Sequence, residues 1–270
     1  MPELPEVETT RRGLELVLIG QTVRTVIVRE RRLRWPIPSA LSKELPGQTI
    51  QSVTRRGKYL LLGANSGSVV LHLGMSGSVR VVTETIPPEK FDHVDIVFNS
   101  GDCLRLRDPR RFGALLWTKD PAQHKLLMHL GPEPLESDFS GDYLYRKSRA
   151  RTRAVKDFLM DSRVIAGIGN IYANESLFLA GIDPRRAAGK INRTRYEKLS
   201  RAIRATLTRA IRAGGTTLRD FRGSDGEPGY FQQTLAVYGR RGLPCRNCGK
   251  PIRSQTLSSR STFFCRYCQS

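Results

Sequence analysis

Four of the five cysteines stand as Cys245-x2-Cys248-x16-Cys265-x2-Cys268, and this spacing restricts the end of the chain more than any other feature. Two C-x2-C turns each supply two thiolates, and four soft ligands close a tetrahedral Zn²⁺ site. A pair of disulfides is the alternative. Nothing resembling a secretion signal supports it, because the opening MPELPEVETT is acidic and lacks an apolar stretch. A redox C-x-x-C is disfavoured because two pairs occur and neither opens a helix after a strand. The expectation is a ribbon, residues 237–270, pinned by one structural Zn²⁺. The fifth cysteine, Cys103, lies in a strand-like pattern and reads as a small buried apolar residue.

The ribbon is basic. It carries Arg240, Arg241, Arg246, Lys250, Arg253, Arg260 and Arg266 and no acid after residue 239. Zn²⁺ with four thiolates is a dianion, which leaves the ribbon about +5. The whole chain holds 45 Lys and Arg against 25 Asp and Glu, a formal +20. A surplus of that size points to a polyanionic partner. Residues 185–222 hold twelve bases against Glu197 and Asp220, a net +10. A solvated helix face is the plain explanation of such a run, but solvated faces usually mix signs. The run is therefore expected to hold phosphates. No apolar stretch is long enough to span a bilayer, so a cytoplasmic, nucleic-acid-binding protein with no membrane partner is expected.

The 270 residues suggest one large or two modest domains. The first half reads as short β-branched or alternating strands: 22–29, 68–73, 78–82, 93–98, 103–107 and 113–117. In His93–Phe98, Val94, Ile96 and Phe98 share one face and Asp95 takes the other. Many strands without intervening helices predict an antiparallel sandwich or barrel. One helix, 5–18, precedes them, with acids in its first turn. Residues 130–145 are Pro-rich and acidic and read as a hinge. Beyond it, 152–161, 171–180 and 194–213 have apolar residues at helical spacing, such as Leu199, Ile203, Leu207 and Ile211.

Several segments then fall in one collinear order: MPELPEVET, RRGKYL, HLGMSGS, DPRRFGALLW, GIGNIYANESLF and the paired C-x2-C turns. Over essentially its whole length the chain closely resembles bacterial formamidopyrimidine-DNA glycosylases. The resemblance implies an α+β, two-domain fold: an N-terminal helix plus antiparallel β-sandwich, and a C-terminal helical domain with a helix–two-turn–helix and a β-hairpin zinc finger. The implied boundaries are 1–132 for the catalytic domain, 133–150 for the linker, 151–236 for the helical domain with a lid loop, and 237–270 for the zinc ribbon.

It also implies function: a monomer that removes oxidised purines from damaged double-stranded DNA and then nicks the abasic site, in the bacterial cytoplasm at the nucleoid. Loss of Met1 would expose the secondary amine of Pro2, which can attack the sugar and form an imine. The positive end of the following helix disfavours its protonated form. Glu3 would move protons to and from the opening sugar. The resemblance makes Lys58 a phosphate contact that assists β-elimination. His72, Arg151 and Tyr238 become DNA contacts, and Arg260 the hairpin arginine linked to δ-elimination. Met75 fills the place of the extruded nucleotide, with Arg110 and Phe112 beside it. Asn170 opens a helix whose free N–H groups suit a phosphate. Residues 216–230 resemble a lid over the extruded base. Phe91 stands where a histidine is common in the family.

Two other readings fit parts of the chain. An endonuclease VIII-like enzyme for oxidised pyrimidines shares Pro2, Glu3, the lysine and the ribbon; Leu4-Pro5 and the Met75, Arg110 and Phe112 set favour the purine enzyme. A non-catalytic zinc-ribbon DNA-binding protein is permitted by charge and cysteines alone, and a basic ribosomal protein by charge.

Overall fold

The computed structural model describes residues 2–215 and 235–270. They form two compact units. The first runs to Met128 and includes 213–215; the second comprises His129–Arg212 and the described residues from 235 onward. The 216–230 segment, read as a lid, lies outside the described residues.

The first unit opens with helix α1, Leu4–Leu18. Leu4, Val7, Leu14 and Leu18 lie on one face and are buried, each worth about 2 kcal/mol of apolar burial. Charged residues line the other face in i,i+3 and i,i+4 pairs, Glu8 with Arg11 and Arg12, and Arg11 with Glu15. Eight strands and a short helix follow: β1 Val23–Val28, α2 Ser39–Glu44, β2 Ile50–Arg56, β3 Tyr59–Ala64, β4 Gly67–His72, β5 Ser78–Thr83, β6 Asp92–Phe98, β7 Asp102–Arg107 and β8 Ala114–Thr118. They make two antiparallel four-stranded sheets, ordered β1-β6-β7-β5 and β2-β3-β4-β8. Val26, Ile96 and Leu104 of one sheet and Val53, Leu62 and Leu71 of the other share a single core with α1 and α2. Of the sandwich and the barrel, the sandwich is the one formed.

Strands β2 and β3 were not expected. The run Tyr59–Ala64 shows no polar–apolar alternation in its letters, yet its burial alternates strictly along the strand. Its solvent-side leucine, Leu61, is only half-buried, so the pattern is geometric and not compositional.

The alternation read in β6 holds, but Asp95 is not solvated. Every residue of β6 is buried. Asp95 accepts from Arg105 Nε at 2.8 Å and from Nη2 at 2.9 Å, and also pairs with Arg29. Burial pushes the Asp95 carboxyl up, but these two guanidiniums outweigh it and hold the pKa below the ordinary range. Asp92, also buried, pairs with Arg80 at 2.9 Å. An ion-pair network thus fills one face of the β1-β6-β7-β5 sheet. Cys103 lies in it, fully buried, its thiol pushed up to about 12 by burial and by Asp95.

The second unit contains α3 Gly141–Ser148, α4 Val155–Leu159, α5 Asn170–Ala180, α6 Arg193–Arg212, and the hairpin β9 Arg253–Leu257 and β10 Arg260–Phe264. Helix α3 occupies part of the stretch read as a hinge; Ser140 caps it by accepting the Tyr143 N–H at 3.1 Å. Helix α4 is shorter than its apolar spacing suggested, because Ala154 bridges to Ala187 as extended backbone. Helix α5 is buried along nearly all its length, Leu179 being its one exposed residue, and stops at Gly181, whose φ of 71° is the left-handed turn that glycine tolerates. Leu199, Ile203, Leu207 and Ile211 do face the core from α6.

The basic run on and before α6 is not all free for phosphate. Arg204 Nη1 donates to the Leu135 carbonyl at 2.9 Å and Nη2 to that of Phe139 at 2.6 Å. Arg195 holds the Gly181 carbonyl at 2.9 Å, Arg185 pairs with Asp183, and Arg193 with Asp142. These bases satisfy backbone carbonyls and acids of their own unit.

Candidate functional site

Pro2 and Glu3 are buried at the start of α1. Glu3 is the N-cap. Its backbone N–H donates to the Glu6 carboxylate at 2.8 Å, and its own side chain takes the backbone N–H of Glu6 in return. This capping box fixes the direction in which the chain enters the helix, and so fixes Pro2. Glu6, read as an ordinary first-turn acid, has this structural duty. Gly215 packs beside it: a Cβ there would lie 3.3 Å from Glu6 Cγ, and the φ of 80° suits glycine.

Helix α1 is tied to the β2–β3 turn that carries Lys58. The Glu8 carboxylate accepts from Arg55 Nε at 3.2 Å, and Arg55 Nη1 donates to the Gly57 carbonyl at 2.9 Å. Arg11 Nη1 adds a bond to the Val53 carbonyl at 3.2 Å. Arg55 thus connects the helix of Pro2 and Glu3 to the turn of Lys58, and Arg11 connects it to the strand that leads there.

His72, at the end of β4, pairs with Tyr59 of β3, and their ring centroids lie 4.8 Å apart. Its Nδ1 accepts the Gly74 N–H at 3.0 Å, which leaves the ring proton on Nε2. Burial, then Lys58 and Arg34, push its pKa down to about 4. His72 is therefore a neutral hydrogen-bond donor.

Met75 and Phe112 are exposed large apolar residues, 39% and 44% accessible. The Arg110 guanidinium lies 4.8 Å from the Phe112 ring centroid. Their two loops touch: a Cβ on Gly74 would lie 2.5 Å from the backbone of Phe112, and Gly74 has a φ of 63°. Asp108 joins the loops from beneath. Fully buried, it accepts the Ser76 hydroxyl through Oδ1 and the Gly113 N–H through Oδ2 at 2.8 Å. Sequence reading passed over Asp108; its signal was an acid beside two arginines that does not neutralise them. Phe91, the departure from the family histidine, has a φ of 77° and lies under Lys90, whose Nζ is 5.1 Å from the ring.

In the second unit, Arg260 opens β10 directly after a two-residue turn, Ser258-Ser259, both with positive φ. It is exposed. The elements behind it grip the hairpin closely. Lys156 Nζ, buried on α4, donates to the Thr262 hydroxyl at 2.7 Å and to the Ser261 carbonyl at 3.1 Å. Asn170 Nδ2 donates to the same Ser261 carbonyl at 3.0 Å, and Asn174 Oδ1 accepts the Phe263 N–H at 2.8 Å. Asp157 accepts the Ser258 hydroxyl at 2.7 Å. Asn170 is thus a hairpin anchor as well as the first residue of α5.

Tyr238 lies edge-on to Phe263 with centroids 5.1 Å apart. Its backbone N–H and those of Ala236 and Val237 all donate to the buried Glu175 carboxylate, at 2.8–2.9 Å. Glu175 also escaped sequence reading, because a buried acid within a helix looks like an exposed one in the letters. Arg151 is exposed and lines a cleft of about 340 Å³ with Lys147, Arg153, Arg163 and Asp161.

The four cysteine sulfurs lie within 4.8 Å of one another; Cys245–Cys268 is 3.9 Å and Cys248–Cys265 is 3.5 Å. A tetrahedron with Zn–S near 2.3 Å sets sulfurs about 3.8 Å apart, whereas a disulfide needs about 2 Å. The donors fit Zn²⁺. Burial opposes ionising Cys245, but the N–H groups of Asn247 and Cys248 aimed at the sulfur prevail and bring its pKa down to about 7. Among the described residues, no helix is long and apolar enough to cross a membrane.

Three family models match: the formamidopyrimidine-DNA glycosylase N-terminal domain over residues 1–115, the H2TH domain of the same enzymes over 130–222, and the zinc finger found in FPG and IleRS over 242–270. Formamidopyrimidine-DNA glycosylase of Stutzerimonas stutzeri is 60% identical, with both chains fully covered; that of Nitrosococcus oceani is 57% identical, likewise over both whole chains. The crystal structure of the MutM (Fpg) protein of Thermus thermophilus superposes with a TM-score of 0.90 at 40% identity, covering 99% of this chain and 98% of that one. The G226P mutant of the Lactococcus lactis protein, in complex with Fapy-dG-containing DNA, gives 0.92 at 35% identity, covering 99% of both.

Proposed function

The chain belongs to the formamidopyrimidine-DNA glycosylase family, and from that premise we propose how its own residues carry out the reaction. It is a base-excision repair enzyme: it removes oxidised purines from damaged duplex DNA and cleaves the resulting abasic site. One structural Zn²⁺, held by Cys245, Cys248, Cys265 and Cys268, keeps the hairpin of Arg260 folded.

The observation that carries the catalytic assignment is the buried Pro2–Glu3 pair at the capped start of α1. Once Met1 is removed, the Pro2 nitrogen attacks C1′ with its lone pair. The bond from C1′ to the base breaks and its electrons leave with the base, which takes up a proton. Glu3 delivers a proton to the ring oxygen as the sugar opens to the imine. The imine then acts as an electron sink. Loss of a C2′ proton expels the 3′ phosphate, and a second elimination expels the 5′ phosphate. Lys58 and His72 hold the phosphate beside the lesion, and Arg260 and Tyr238 hold the flanking backbone. Asn170 and Arg151 hold phosphates of the same duplex.

Extruding the nucleotide costs a few kcal/mol. Met75 and Phe112 recover stacking in the vacated space, and Arg110 reads the edge of the unpaired base. We propose domain limits of 1–132, 133–150, 151–236 and 237–270 for these duties, with α3 (Gly141–Ser148) lying inside the linker stretch.

Borohydride reduction during turnover on an 8-oxoguanine duplex tests the reading. The Met1-free protein should become covalently attached to DNA, and Pro2→Gly should not. An undiminished adduct from Pro2→Gly would remove Pro2 as the nucleophile.

A further inference from the structure

We infer that Arg34 is a further contact to the DNA backbone, taking a phosphodiester next to the one held by Lys58 and His72; the inference rests on the DNA-repair reading above. Arg34 is exposed, on the loop after β1, between Leu33 and Ile37, which are 6% and 2% accessible and anchor the loop in the core. Its backbone N–H donates to the Gly113 carbonyl at 3.2 Å. Gly113 immediately precedes Ala114, the cross-strand partner of His72, and follows Phe112. The loop is thus fastened at the meeting point of the His72 strand and the Arg110–Phe112 loop.

The guanidinium itself is uncommitted. Neighbouring arginines are engaged: Arg24 pairs with Glu84, Arg29 shares Asp95 with Arg105, Arg32 and Arg111 share Glu30, and Arg31 Nη1 donates to the Ile37 carbonyl at 3.3 Å. Arg34 has no carboxylate partner among the described residues. Its guanidinium lies over the ring of Trp35, 4.7 Å from guanidinium carbon to centroid. Stacking on that ring restricts the side chain and leaves its five donors free, which lowers the entropy of gripping an anion.

The charge of the site gives the reason for such a group. Two successive phosphodiesters carry two negative charges. His72 is a neutral donor, so within the first unit Lys58 is the one cation assigned to them so far, Arg260 belonging to the second unit. Arg34 is close enough to both Tyr59 and His72 to act on their ionisation electrostatically. It supplies the second charge.

The test uses duplex DNA with a non-cleavable abasic analogue and follows affinity against KCl concentration for the full-length protein. Arg34→Gln should weaken binding about tenfold at low salt. It should also reduce the slope of log K against log salt by about 0.9, as one lost phosphate contact does. Arg32→Gln, which removes an arginine already paired with Glu30, should change neither. Equal, small effects from both variants, or an unchanged slope for Arg34→Gln, would overturn the inference. If Arg34→Gln lowers the melting temperature markedly, Arg34→Lys decides: the wild-type slope should persist, and a slope lost with the charge still present would overturn the inference. Failure of the underlying reading has its own signature, the absence of a borohydride-trapped adduct from the wild-type protein on 8-oxoguanine DNA.

Discussion

The Asp108 carboxylate accepts the Ser76 hydroxyl at 3.1 Å, and its other oxygen accepts the Gly113 N–H. One buried acid therefore sets the spacing between the loop of Met75 and the loop of Phe112. Asp108→Ala should cost about 1–3 kcal/mol, because it leaves the Gly113 N–H buried and unpaired. Its catalytic effect should be selective. Excision of 8-oxoguanine requires full extrusion of a paired base, whereas a preformed abasic site is cheaper to open. Single-turnover rates on the two substrates should show the larger loss on the first; equal losses would mean that Asp108 acts only on stability.

The pKa of His72, about 4, lies below its ordinary value of 6.5. The native state thus resists protonation of a ring that the unfolded chain protonates readily. This stabilisation is complete above pH 6.5 and is lost as the pH falls towards 4. His72→Gln keeps a donor but has no titration. Between pH 7 and pH 4.5 the wild type should lose of order 1–2 kcal/mol more stability than the variant. Parallel urea-unfolding midpoints would contradict the assignment.

Lys156 ties α4 to the hairpin that presents Arg260. Lys156→Met retains the length of the side chain but removes its bonds to Thr262 and Ser261. About 1–3 kcal/mol of stability should be lost, and the ratio of δ- to β-elimination product on abasic DNA should fall. A lower melting temperature with an unchanged product ratio would confine Lys156 to holding the fold.

The Ser258-Ser259 turn places two non-glycine residues at positive φ, 45° and 63°. Tight hairpin turns of this hand favour Asn-Gly. Replacing Ser258-Ser259 with Asn-Gly should stabilise the hairpin by about 0.5–1 kcal/mol, even with the bond to Asp157 altered. Loss of Zn²⁺ to a chelator should become slower, and a faster loss would show that the Asp157 bond dominates.

Removing Zn²⁺, or making Cys265→Ser, should unfold the ribbon and greatly weaken DNA binding. The sandwich has its own core and should keep its near-ultraviolet circular dichroism, which tryptophans 35 and 117 report. Tight binding without metal would refute a structural role for the ion.

The zinc ligands, the strand-rich first half and the long helices were legible because each leaves a period or a spacing in the letters. Pro2, Glu3 and Lys58 were legible only through the family likeness. Asp108, Glu175 and Lys156 were not legible: all three are charged residues buried against backbone or hydroxyl groups, and each has a partner at least 32 residues away along the chain. No local pattern separates such a residue from a solvated one. The basic run around α6 was legible as charge but not in its division of labour, since Arg195 and Arg204 serve carbonyls of their own unit.

The ion-pair face of the β1-β6-β7-β5 sheet has a bearing on how the enzyme meets DNA. Arg29, Arg80 and Arg105 are matched there by Asp92 and Asp95, so a passing duplex finds few unanswered guanidiniums on that side of the sandwich. A chain this cationic could otherwise adhere to DNA in many orientations, most of them unproductive. The two carboxylates leave these three guanidiniums with a net charge of about one, which weakens the pull of that face on a duplex in an unproductive orientation.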